Sequence, residues 1–269
     1  MRIEGKVVLI TGASGGIGEA CARVFTRRGA RLSLLARTRD KLERVGGPDA
    51  VITAGDVTLP EVQRQAVDAT IQRFGAIDIL INNAGVGLNA PSWRADPECL
   101  RAMMELNFLA PVRLTQLVVP YMIQRRQGVV VNVGSIAGKV TLPWMTLYSA
   151  SKFAVGSWTD GLRMELKSLG IHAMTVCPGY VITDFHTNLL QGRVAGPIQR
   201  ARMFTITAEQ CAEAIARGVE AEKRTVVTPR VGWVFVALTR LLPWLMDWQF
   251  QRLYLKAERE TPGQEQADS

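Results

Sequence analysis

The chain alternates two kinds of hydrophobic spacing. Short, nearly continuous apolar runs recur at 6–11, 31–36, 51–57, 77–81, 129–133, 172–176 and 225–228. Runs of that length, bounded by polar or glycine-rich stretches, predict strands buried on both faces. Between them lie segments with helical spacing, at 19–28, 60–74, 97–126 and 146–169. Strand and helix in regular alternation predict an α/β fold: one seven-stranded parallel sheet, doubly wound, with helices on both faces. The stretch 97–126 carries Asn107, Pro111 and Pro120. These are poor helix formers, so a kink or a functional need is expected inside it.

Length and composition leave that picture standing. A chain of 269 residues suits a single α/β unit with a full core, and 48% hydrophobic with 21% charged residues is an ordinary folded composition. No internal repeat or domain break is evident. The net charge of +8 is uneven: residues 1–44 hold ten Lys/Arg against four Asp/Glu, with Arg27, Arg28, Arg31, Arg37 and Arg39 close together. No nucleic-acid motif accompanies them, so a smaller anionic ligand fits better than nucleic acid. Cys21, Cys99, Cys177 and Cys211 are widely spaced in apolar surroundings, which reads as reduced core thiols in a cytoplasmic protein. His172 and His186 lack ligand-spaced partners, and no metal is expected. The first strand begins at about Lys6, and no signal peptide is expected ahead of it.

The candidate chemistry sits where the predicted strands end. The first strand runs into Thr11-Gly12-Ala13-Ser14-Gly15-Gly16-Ile17-Gly18 and then a helix. Glycines there let backbone approach a pyrophosphate, and the helix N-terminus offers free N–H groups; the competing reading is a plain tight turn. The second strand ends at Ala36 and Arg37, with no acid before Asp40. In a dinucleotide-binding fold an acid at that place meets the ribose hydroxyl of NAD, whereas a guanidinium suits a 2′-phosphate, which favours NADP (NADPH) over NAD. Arg37 in a merely solvated basic loop is the alternative. Asn82-Asn83-Ala84-Gly85 follows the fourth strand and Ser135 the fifth, both at the carboxyl ends where such sheets bind ligands. Tyr148 and Lys152 lie four apart on one helix face. A nearby cation favours the phenolate, so the pair can serve proton transfer; alone, it could equally be a surface pair.

Taken together and in order, the glycine turn, Asn82 to Gly85, Ser135, Tyr148-x-x-x-Lys152 and Pro178-Gly179 closely resemble the short-chain dehydrogenase/reductase family, over about residues 5–230. The resemblance implies a single Rossmann domain and an oxidoreductase acting on an alcohol or its carbonyl. It implies pyrophosphate binding along Gly12, Gly15, Gly16, Ile17 and Gly18, with Ser14 and Arg37 near the adenosine ribose. Asp56 and Val57 would meet the adenine, and Asn83, Ala84 and Gly85 the neighbouring ribose region. Asn107, Ser135, Tyr148 and Lys152 match the family's catalytic tetrad. Pro178, Gly179, Val181 and Thr183 match its nicotinamide loop. A homo-oligomer, dimer or tetramer, is expected. Two alternatives stay open: an NADP-binding sensor without activity, and a 3-oxoacyl reductase.

Residues 185–206 lose periodicity and carry Gly192, Gly196 and Pro197, as expected of a lid over a substrate pocket. Leu189, Leu190, Met203, Phe204, Trp144 and Met145 are candidate apolar lining for a hydrophobic carbonyl or alcohol. An apolar extension at 231–257 follows the domain of 1–230. Between Val231 and Met246 its one charge is Arg240, and Pro243 interrupts it. Two readings compete. One is a membrane-surface helix with Arg230, Arg240, Arg252 and Lys256 near headgroups; the favoured one is a flap buried against the pocket or a second subunit. The polar stretch 258–269 is expected to be disordered.

Overall fold

The computed structural model describes residues 1–192 and 205–260. Its elements run β1 (Val7–Thr11), α1 (Gly16–Arg27), β2 (Arg31–Ala36), α2 (Arg39–Gly46), β3 (Val51–Ala54), α3 (Pro60–Phe74) and β4 (Ile79–Asn82). Then come α4 (Pro97–Met104), a π-helical turn (Glu105–Leu109), α5 (Ala110–Arg125), β5 (Gly128–Val133), α6 (Thr146–Leu166), β6 (Ile171–Pro178) and β7 (Tyr180–Ile182). The chain continues through β8 (Thr205–Thr207), α7 (Ala208–Glu220), β9 (Thr225–Thr228), α8 (Gly232–Leu241) and α9 (Pro243–Glu260).

The main sheet has seven strands in the order β3-β2-β1-β4-β5-β6-β9, and every pairing in it is parallel. Alternate side chains of a strand face opposite sides, and here both sides are apolar. Val8, Ile10, Ile79, Ile81, Val129 and Val131 pack with Val24 and Phe25 of α1 and Ile215 and Val219 of α7. Leu9, Leu80 and Val130 face the other way, onto Val67 of α3 and Leu114, Val118 and Met122 of α5. Each such side chain removed from water stabilises the fold by roughly 1.5–3 kcal/mol. Pro97–Arg125, long and apolar enough to cross a membrane, lies against the sheet through these α5 residues. Strand order reverses between β1 and β4, which opens a crevice at their carboxyl ends.

The structure departs from the sequence reading in several places. The third strand stops at Ala54, and Asp56 belongs to the turn after it, where its Oδ1 accepts from Thr58 N at 2.9 Å and Thr58 Oγ1 at 2.8 Å. Most of the basic cluster does not face a ligand. Arg27 pairs with Glu209 and Glu213, and Arg28 with Glu213 at 2.6 Å and Glu220 at 2.5 Å, tying α1 to α7. Arg31 donates to Gly5 O, and Arg39 pairs with Glu43. Cys99 is only partly buried, with Asp96 beside its thiol, unlike the other three cysteines. β7 and β8 form a small parallel sheet that sequence periodicity does not reveal. Of the proposed lid, residues 193–204, including Gly196, Pro197, Met203 and Phe204, lie outside the described residues. The 231–257 stretch forms two helices joined through Phe235 and Phe250, anchored to the body at Gly232 and Val236, with most of their described side chains exposed. Helix α9 reaches Glu260, three residues into the stretch expected to be disordered.

Candidate active site

The crevice is a cleft of about 750 Å³ above the carboxyl ends of the central strands. Its floor is held by Thr11 at the end of β1, whose Oγ1 accepts from Asn83 N and Ala84 N, both at 3.0 Å. Asn83 Nδ2 returns bonds to Thr11 O at 3.0 Å and Gly12 O at 3.3 Å. Gly12 has φ +65°, and a Cβ on it would come 2.9 Å from Ala84 Cα. Gly18 is tighter: its Cβ would fall 2.2 Å from Gly12 O. Only glycine lets helix α1 and the turn approach so closely.

The inner end of the cleft gathers four polar side chains. Ser135 follows β5, with its hydroxyl accepting from Ala137 N at 3.1 Å. Tyr148 and Lys152 come from the first turns of α6, and both are 5% exposed. Lys152 Nζ donates to Val133 O at 3.1 Å and lies 5.8 Å from the centre of the Tyr148 ring. Asn107 sits in the π-helical turn, a widening of the helix common at functional sites. Its Oδ1 accepts from Val86 N at 2.9 Å, and its Nδ2 donates to Val86 O at 2.9 Å and Ser151 Oγ at 3.1 Å. A Cβ on Gly85 would lie 3.1 Å from Asn107 Oδ1 and 3.4 Å from Lys152 Nζ, so the asparagine and the ammonium meet there.

Burial governs the titration of this corner. It pushes the Tyr148 phenol up to about 12, and the Ser135 hydroxyl beside it acts in the opposite direction. It pushes the Lys152 ammonium down to about 8. The spacing of the pair suggests a phenol made more acidic by its cation. In the structure the cost of removing a phenolate from water is the largest influence on Tyr148, and the Lys152 ammonium is turned to the Val133 carbonyl.

The other end of the cleft fits a dinucleotide. Helix α1 begins at Gly16 without a side-chain cap, which leaves its first N–H groups free for an anion. Gly15 borders the cleft with φ −177°, and a Cβ there would meet no atom within 4 Å. That space is open to a phosphate-sized group.

Residues 6–193 match the family described as short chain dehydrogenase. The chain belongs to that family. It is 34% identical over 270 residues to 11-beta-hydroxysteroid dehydrogenase 1A of Arabidopsis thaliana, across 94% of this chain and 77% of that protein. A short chain dehydrogenase from Burkholderia cenocepacia, solved with NADP, superposes with TM-score 0.79 at 28% identity, covering 93% of this chain and 99% of the other. The 3-ketoacyl-(acyl-carrier-protein) reductase of Brucella melitensis, solved with NADH, gives 0.77 at 27% identity, covering 84% and 97%. A short-chain dehydrogenase/reductase is an oxidoreductase with a nicotinamide cofactor, and the cleft of this one accommodates such a group.

All of the site residues expected from sequence line this cleft except two. Gly18 lies beneath the turn, and Asn107 stands behind Gly85. Of the candidate apolar lining, Leu190 and Met145 border the cleft, while Leu189 packs on Gly87. Sequence reasoning missed Lys41 of α2, four residues past Arg37, which lines the same cleft. It also missed Phe185, 5.9 Å from the Tyr148 ring, and His186, stacked on Tyr180 at 4.0 Å. A buried ladder beneath the site was equally unannounced. Asn82 Nδ2 donates to Thr115 Oγ1 at 3.1 Å and Asn132 Oδ1 at 2.8 Å, and Asn132 Nδ2 to Thr159 Oγ1 at 2.9 Å.

Proposed function

We propose that this short-chain dehydrogenase/reductase uses NADP(H) to interconvert a hydrophobic ketone or aldehyde and its alcohol, with Tyr148 as the proton-transferring group. The observation that carries the reading is the convergence of Asn107, Ser135, Tyr148 and Lys152 at the inner end of a cleft whose outer end is lined by Arg37 and Lys41. Gly12, Ser14, Gly15, Gly16, Ile17, Asp56, Val57, Asn83, Ala84, Gly85, Pro178, Gly179, Val181 and Thr183 would hold the dinucleotide along the cleft between them. Bound there, the cofactor would give hydride to the carbonyl carbon, or take it from the alcohol.

The chain's own groups handle the oxygen. Ser135 Oγ would donate a hydrogen bond to the carbonyl oxygen as negative charge develops. A phenol held near 12 keeps its proton at neutral pH, so Tyr148 starts as an acid and suits protonation of that oxygen. Lys152, brought down to about 8, can exchange a proton near neutral pH, with Asn107 fixing the loop beside it. Two cations at the adenosine end suit a 2′-phosphate, which supports NADP. Val86, Leu142, Met145, Phe185 and Leu190 give the inner cleft an apolar wall. The relative named as a hydroxysteroid dehydrogenase supports a bulky apolar substrate.

The test is NADPH oxidation across a panel of hydrophobic carbonyls that includes a 3-oxoacyl thioester, with Tyr148→Phe as control. The wild type should turn over and the variant lose activity by about a hundredfold or more. Absence of turnover in both proteins would overturn the reading in favour of a sensor. Titration of wild type and Arg37→Asp with NADPH and NADH tests the cofactor; equal affinity of the wild type for both would overturn the NADP assignment.

A further inference from the structure

The last two helices present an apolar face that no described part of the chain covers. Only Gly232 and Val236 of α8 are buried, while Trp233, Val234, Leu238 and Leu241 are exposed, the last at 76%. Residues 233, 237 and 241 repeat every four positions and share one side of α8. α9 continues outward with Trp244 at 70% and Trp248 at 46% exposure. A contiguous apolar face of this kind marks an interaction surface.

Charge decides what covers it. Arg230, Arg240 and Arg252 are spaced along the face, and the Arg252 guanidinium lies 4.0 Å over the Trp248 ring. Asp247 is the only acid between residues 230 and 252. A second copy related by a two-fold axis would set this face against itself, arginines opposite arginines with one acid to answer them. An anionic lipid surface answers both features, because Trp and Leu enter the acyl boundary while Arg meets headgroup phosphates. Next to the face, a groove of about 930 Å³ between α7, β9 and α8 is lined by Arg217, Lys223, Arg230 and Trp233. Its one acid, Glu220, already holds Arg28. With 10 residues, α8 is too short to span a bilayer, which takes about 20. We propose that α8 and α9 dock the protein in the plane of an anionic membrane surface, with Trp233, Leu241 and Trp244 in the acyl boundary and Arg230 and Arg240 on lipid phosphates. The face is rooted beside the cleft, since Gly232 packs on Val227 and on Ile136, a cleft residue. The proposal does not depend on the cofactor or the substrate.

The full chain should co-sediment with vesicles of phosphatidylcholine mixed with phosphatidylglycerol, with a blue shift of tryptophan fluorescence, and bind pure phosphatidylcholine more weakly. Leu241→Ser with Trp244→Ser should cut binding by about tenfold or more, the scale of losing buried apolar side chains, with no change in thermal unfolding because both residues are exposed. Arg240→Glu should weaken binding to the mixed vesicles and leave binding to pure phosphatidylcholine unchanged. A chain that stays in the supernatant with mixed vesicles overturns the proposal, and so does a double variant that binds like the wild type. Light scattering in which the double variant breaks a larger assembly also overturns it, assigning the face to a second copy.

Discussion

Replacing Lys152 by methionine should make the folded chain more stable at neutral pH, although it removes a residue from the inner end of the cleft. Lys152 is 5% exposed, and burial brings its ammonium from the usual 10.5 down to about 8. The folded value is the lower one. Below about pH 8 both folded and unfolded chains hold the proton, and folding bears the full cost of a buried charge. Between about 8 and 10.5 the folded chain has released a proton that the unfolded chain still binds, so stability rises with pH across that window. At about 1.4 kcal/mol per pH unit, the cost is roughly 3 kcal/mol at pH 7 and about 1 kcal/mol at pH 10. Methionine fills a similar volume without the charge. It also forfeits the Nζ bond to Val133 O at 3.1 Å, a loss of about 1 kcal/mol. The net expectation is a gain of about 2 kcal/mol at pH 7 that disappears near pH 10. Urea unfolding of wild type and Lys152→Met at both pH values, without added cofactor, reads the difference directly. The raised Tyr148 phenol lowers stability above pH 10 in both proteins and cancels in the comparison. A variant whose advantage is the same at pH 7 and pH 10, or which is less stable at pH 7, refutes burial as the origin of the depressed ammonium.

The glycine turn yields a contrasting pair. Gly18→Ala places a methyl 2.2 Å from Gly12 O and 2.7 Å from Asn83 Nδ2, and should cost about 1–3 kcal/mol of stability, read by thermal unfolding. Gly15→Val meets open space at an extended φ. It should unfold within about 0.5 kcal/mol of the wild type yet bind dinucleotide at least about tenfold more weakly, as a side chain in the pyrophosphate path requires. Unchanged binding would remove Gly15 from that path. Asn107→Ala deletes the bonds to Val86 N and O and to Ser151. It should cost about 1–3 kcal/mol and speed hydrogen exchange at the Val86 amide, whereas unaltered exchange there would show that the asparagine does not hold the loop.

The sheet was legible because both of its faces are apolar, so strands such as Val7–Thr11 and Gly128–Val133 stand out as nearly continuous apolar runs. Kinking inside 97–126 was legible from Asn107 and the prolines, and the structure gives it the form of a π-helical turn. Three-residue strands carry no readable period, so the pairing of Tyr180–Ile182 with Thr205–Thr207 was invisible. Helix α7 did leave a signal that went unused: Thr207 and Gln210 form a capping box, three residues apart in sequence. Overlooking α7 also hid its acids, Glu209, Glu213 and Glu220, which engage Arg27 and Arg28. A basic cluster counted along the chain therefore overstated the charge facing the cleft, where Arg37 and Lys41 remain.

The same limit applies at Tyr148 and Lys152 with larger consequences. Four-residue spacing on a helix fixes that two side chains are neighbours, and the structure places them in one buried corner. Spacing says nothing of how much water either group keeps, and in this corner desolvation is the largest influence on both groups. The phenol is the weaker acid of the two, with the ammonium the group that titrates nearer neutrality. A pH-rate profile for carbonyl reduction should accordingly place its alkaline limb near 8 rather than near 12. Its loss in Lys152→Met, at whatever residual rate remains, would assign the limb to the lysine. A limb that persists unchanged in that variant would show that another group controls protonation and that the burial argument does not reach catalysis.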